Sequence, residues 1–125
     1  MLIQLVLRLS RTRPGRFLTG FIFAHMSQFL PIDRLAETGT LIAFRHPQPV
    51  YPFHVLIVPK KQVDSLTSLD PADTVFFSDL YSTVQSLVKQ FDLGAGGYRL
   101  IVNGGKFQDF PQLHFHLISG KADVA

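Results

Sequence analysis

The sequence contains no cysteine. That excludes disulfides, thiolate metal sites and a cysteine nucleophile, and nothing points to an oxidising compartment. No acidic residue precedes Asp33, although Arg8, Arg11, Arg13 and Arg16 do. An apolar run of the ~20 residues needed to span a bilayer is also missing. Residues 2–9 are too few, and residues 17–32 are broken by Thr19, Gly20, His25, Ser27, Gln28 and Pro31. No convincing small-residue cleavage site follows an apolar run, so a secretory signal is not expected. There is no internal repeat or low-complexity segment. GAGG at residues 94–97 lacks the Gly-Lys-Ser/Thr that would make it a P-loop.

What is present suffices for one domain. The chain has 125 residues, of which 46% are hydrophobic, so a packed core is affordable and global disorder is not expected. The net charge of +3 fits an anionic ligand and is too small to point to nucleic acid. Residues 1–32 read as a basic, apolar helical arm preceding a domain at 33–125. Three roles stay open for the arm: a helix packed on the domain or a partner subunit, an amphipathic helix on an anionic membrane, or an acid-free transit peptide. His25 reads as a packed or interfacial residue of that arm.

Within the domain, residues 40–44 (TLIAF), 54–58 (HVLIV), 98–102 (YRLIV) and 112–118 (QLHFHLI) read as strands. Three prolines make residues 46–52 a loop. Asp70-Pro71 is a helix-start signal, with Asp73 adding favourable charge near the N-terminus. Val75, Leu80, Val84, Leu87, Val88 and Phe91 recur near helical spacing, and Gly94 is expected to supply a left-handed terminus. Short strand links with one long inserted helix imply an α+β domain, an antiparallel sheet with helices packed on it.

The chemistry is concentrated near the end. Alternation puts Gln112, His114 and His116 on one face of a strand and Leu113, Phe115 and Leu117 on the other, towards the core. Two imidazoles and an amide replace the lysines and glutamates of an ordinary solvated face. Imidazole is a nucleophile or a general acid–base near neutral pH. His114 and His116 with His54 could offer three nitrogens to a metal, but carboxylates are few and no cysteine completes a set, so no metal or cofactor is expected. Asn103 in an Asn-Gly-Gly turn would suit a phosphoryl oxyanion beside a nucleophilic histidine. Lys60 and Lys61 read mainly as a solvated turn.

The ordered blocks LIAFRHPQPVYPFHVLIVPKK, GYRLIVNGG and QDFPQLHFHLISG resemble the histidine triad (HIT) family of nucleotide-binding hydrolases and transferases. The resemblance covers about residues 33–120. It implies a HIT-like antiparallel sheet of about five strands. His114 matches the nucleophilic middle histidine, His116 the third, and His54 an additional upstream histidine. Gln112 stands where the first histidine is usual, as a supporting group without proton transfer. Asn103 and Gln108 match phosphate-contacting positions, and Phe44 lies where a base pocket is implied. Asp109 replaces a serine or threonine that assists the leaving group, and His46 replaces a ribose-binding aspartate.

The activity implied is attack on the α-phosphate of a purine nucleotide derivative, a phosphoramidate or dinucleoside polyphosphate, through a nucleotidyl-histidine. The alternative is a catalytically weak nucleotide-binding or regulatory module. A cytoplasmic homodimer is expected, with peripheral membrane contact through the arm as a variant and no nucleic-acid partner.

Overall fold

The computed structural model describes residues 33–122. The proposed arm at 1–32 lies outside them. Five strands form one sheet: β1 (Arg34–Glu37), β2 (Leu41–Arg45), β3 (Phe53–Pro59), β4 (Arg99–Val102) and β5 (Phe115–Ser119). Their order is β1-β2-β3-β5-β4, and each neighbouring pair is antiparallel. A long helix, α1 (Thr74–Gln90), and a single turn, α2 (Leu93–Gly96), are inserted between β3 and β4. The chain therefore has the α+β architecture that its short strand links imply.

β3 is central and all seven of its residues are buried. This explains its unbroken apolar reading, because a strand covered on both faces has no solvated face to mark. The helix-side core is drawn from alternate strand positions: Leu41 and Ala43, Val55 and Ile57, Leu113, Phe115 and Leu117. Against them α1 sets Phe76, Leu80, Val84 and Leu87, which recur every three or four residues and so line one face. Thr40 Oγ1 donates to Asp79 Oδ2 at 2.7 Å and ties the start of β2 to the helix.

The helix begins later than Asp70-Pro71 predicts. Asp73 is the N-cap, its side chain accepting from the Phe76 N–H at 3.1 Å. Asp70 instead accepts from the Ala72 N–H at 2.9 Å, closing a local turn before the helix. The left-handed residue after α1 is Asp92 (φ 52°), not Gly94, which lies inside α2. Where β5 ends, Gly120 has φ 86°, and a Cβ there would meet Pro52 Cγ at 2.8 Å. Glycine thus lets the end of β5 close on the proline loop that leads into β3.

Candidate active site

The sheet's second face carries the polar residues. In register, Phe44 lies opposite Leu56, Leu56 opposite His116, and His116 opposite Ile101. One row along, His46 N donates to His54 O at 2.9 Å, and His54 lies opposite Ile118. Val102 lies opposite Phe115, so the antiparallel register carries Asn103 to the level of His114. The expected strand at 112–118 is shorter: its ladder begins at Phe115. The alternation nevertheless holds, with Leu113, Phe115 and Leu117 in the helix-side core.

Gln112 is completely buried. Its Oε1 accepts from the Val63 N–H at 3.2 Å, and its Nε2 donates to Pro59 O at 3.2 Å and Lys61 O at 3.0 Å. All these partners are backbone groups of the last residue of β3 and the segment following it, which also accepts Leu113 N–H on Val63 O at 2.7 Å. The amide therefore stitches the approach to β5 onto the end of β3. The support foreseen for a neighbouring histidine comes from the Gln112 backbone: His114 Nδ1 donates to Gln112 O at 2.9 Å.

That bond settles which nitrogen is bare. A carbonyl only accepts, so Nδ1 carries the proton and the neutral His114 ring keeps an unshared pair on Nε2. Phe110 lies flat against the same ring, with centroids 4.2 Å apart and planes 5° apart. Burial holds the His114 pKa below the usual histidine value, opposed by its bond to Gln112 and by the nearby Asp109 carboxylate.

A second chain of bonds sets the other histidines. The Val50 N–H donates to His54 Nδ1 at 3.1 Å, so the neutral His54 carries its proton on Nε2. His54 Nε2 then donates to His116 Nδ1 at 2.9 Å. His116 consequently bears its proton on Nε2, a buried donor with no partner among the described residues. The same reading applies to His46, whose Nδ1 accepts the Gln48 N–H at 2.9 Å. Burial, then the neighbouring histidines, pushes His46 to about 4 and His116 to about 3. His54 is also lowered by burial. All four rings are thus neutral at pH 7.

His46, His54 and His116 have ligand atoms within 4.8 Å of one another. As hydrogen-bonded here, they do not fit a metal. His46 and His54 give their Nδ1 pairs to backbone N–H groups and carry protons on Nε2, and the His116 Nδ1 pair is held by His54. Two clefts lie elsewhere. One of about 480 Å³ sits at the start of α1, and one of about 710 Å³ lies between Tyr51, Tyr98 and Arg99. Neither is lined by His114 or His116. The first gathers Lys60, already paired with Glu37 at 2.6 Å, and the capping Asp73. The histidine cluster is the stronger chemical candidate.

The remaining predicted positions divide. Phe44 is fully buried and Asn103 half-buried on the histidine face, while Asp109 is exposed. Gln108 spends both amide hydrogens internally, on Asp64 O at 2.6 Å and Phe110 O at 3.0 Å. Phe110 and the Val50 N–H escaped sequence reasoning. The usable signal for Phe110 was an aromatic four residues before His114, with Pro111 to bend the chain between them.

Comparison with known proteins agrees with this architecture. The HIT domain family matches residues 30–123, and the chain belongs to that family. An uncharacterised HIT-like protein of Rickettsia prowazekii is 30% identical over 95 residues, covering 74% of this chain and 79% of the relative. A HIT family hydrolase from Legionella pneumophila superposes with a TM-score of 0.72 at 27% identity, covering 80% of this chain and 92% of that one. A histidine triad nucleotide-binding protein from Candida albicans gives 0.70 at 26% identity, covering 86% and 79%.

Proposed function

We propose that this chain is a HIT family hydrolase or nucleotidyl transferase that acts at the α-phosphate of a purine nucleotide derivative. His114 is the nucleophile. The observation that carries this reading is its Nδ1–H···O=C bond to Gln112, which leaves Nε2 unprotonated in a ring kept neutral by burial. Nε2 attacks phosphorus, the bond from phosphorus to the leaving group breaks, and the leaving group departs with its electron pair and takes up a proton from solvent. Water then attacks the nucleotidyl-histidine, losing a proton to solvent, returning the nitrogen its pair and releasing the nucleoside monophosphate.

The imidazolium formed in the first step keeps its Nδ1–H on Gln112 O, a bond that strengthens as the ring gains charge. His116 Nε2–H is the donor for a non-bridging oxygen, held in that tautomer by His54. Asn103 adds a second polar group at the level of His114. Both Gln108 amide hydrogens are held by carbonyls, so Gln108 reaches a phosphate oxygen only by giving one of them up, its own oxygen being an acceptor. Phe44 and His46 border the base and ribose side, and dimerisation of the family kind is part of this reading.

A second reading, a binding module with little turnover, is favoured by Asp109. Its carboxylate acts on His114 and would repel an incoming phosphate. The two are separated by AMP release from adenosine 5′-phosphoramidate by wild type and His114→Ala. The enzyme reading expects turnover lost in the variant with AMP binding kept. AMP binding without wild-type turnover supports the module.

A further inference from the structure

We propose that Phe110 is a positioning residue that holds the His114 ring in its attacking orientation and stabilises the positive charge the ring acquires on attack. This rests on His114 being the nucleophile. Two constraints meet on that imidazole. The Gln112 carbonyl fixes it in its own plane through Nδ1, at 2.9 Å. The Phe110 ring fixes the plane itself, parallel to within 5° at a centroid distance of 4.2 Å. Together they leave the ring little freedom except to present Nε2.

Phe110 is itself held. Its ring is buried, its carbonyl accepts from Gln108 Nε2 at 3.0 Å, and the same Nε2 reaches Asp64 O at 2.6 Å. Pro111 follows, with its fixed φ, at the bend that turns the chain back towards β5. Gln108, Phe110 and Pro111 thus form a bracket whose one projecting part is an aromatic plate against the nucleophile.

The plate has an electronic consequence. Forming the P–N bond turns a neutral imidazole into an imidazolium. An aromatic face carries negative quadrupole density and attracts a cation within ~6 Å of its centroid. An aliphatic side chain of similar bulk would exclude water equally well but lack that attraction. Packing and charge stabilisation can therefore be told apart.

The test compares wild type with Phe110→Leu, Phe110→Met and Phe110→Tyr, using adenosine 5′-phosphoramidate turnover, AMP affinity and NMR titration of the His114 ring. Asp109 and His116, which also act electrostatically around His114, are the same in all four proteins. In the aliphatic variants kcat is expected to fall roughly 3- to 30-fold, with KM and AMP affinity held. The His114 pKa is expected to move down, because the charged ring has lost its partner. Tyr restores both. Met serves if Leu does not fold. Aliphatic variants with wild-type kcat and wild-type His114 titration overturn the proposal. Absence of turnover in wild type would instead overturn the enzymatic reading, while the titration still tests the effect of Phe110 on the ring.

Discussion

Replacing Gln112 by histidine would restore the usual triad pattern, and it is expected to damage this protein. The amide offers two hydrogens and one oxygen, and all are used: Pro59 O, Lys61 O and the Val63 N–H. A neutral imidazole offers one hydrogen and one unshared pair, so at least one carbonyl loses its partner. A protonated imidazole offers two hydrogens and nothing to accept with, so the Val63 N–H is stranded. An unsatisfied buried polar group costs about 1–3 kcal/mol, whichever state the ring adopts. Gln112→Leu strands all three partners, and about 3–5 kcal/mol is expected, near the upper range for single substitutions. Urea unfolding followed by circular dichroism reads both values. The order wild type, then Gln112→His, then Gln112→Leu is expected. A histidine variant as stable as wild type would refute the view that Gln112 is held by its backbone cradle.

Two further outcomes follow from the proton positions. Histidines with lowered folded-state pKa values bind fewer protons folded than unfolded, so stability is full above the unfolded pKa, ~6.5, and is lost as pH falls. For His116, nine-tenths buried with its pKa at about 3, the loss is about 1.4 kcal/mol per pH unit from pH 6.5 towards 3. Urea midpoints that stay flat between pH 7 and 5 would contradict the buried neutral cluster. Separately, His54→Phe removes the donor that fixes the His116 tautomer. A fall in kcat approaching the roughly 100-fold typical of losing a charge-stabilising donor is expected, with little change in AMP affinity. An unchanged kcat would show that His116 does not depend on His54.

The strands β2, β3, β4 and β5 were legible because each is a short apolar or alternating run between turn residues. β1 was not, since RLAE is four residues long with two of them charged. The helix was visible in the spacing of Leu80, Val84 and Leu87, but Val75, read as part of the same face, is exposed and Phe76 is buried in its place. The helix start was displaced because Asp70 and Asp73 are both competent caps. Strand periodicity placed His114 and His116 on one face, and the register of β3 against β5 supplies what periodicity cannot, the 2.9 Å bond from His54 to His116. The work of Gln112 and Gln108 was illegible because their partners are backbone groups, all but Phe110 O lying 44–53 residues away, which carry no side-chain signature. Phe110 was hidden for a different reason. Pro111 interrupts the strand, so the alternation that pairs same-face residues does not extend back to it.

The most direct measurement is intact-mass spectrometry of protein quenched shortly after mixing with adenosine 5′-phosphoramidate, for wild type and His114→Ala, with AMP followed in the same samples. The account predicts an AMP-sized adduct on wild type that peptide mapping places on His114, none on the variant, and AMP accumulating only with wild type. AMP produced equally by both proteins, or an adduct mapping elsewhere, would contradict it.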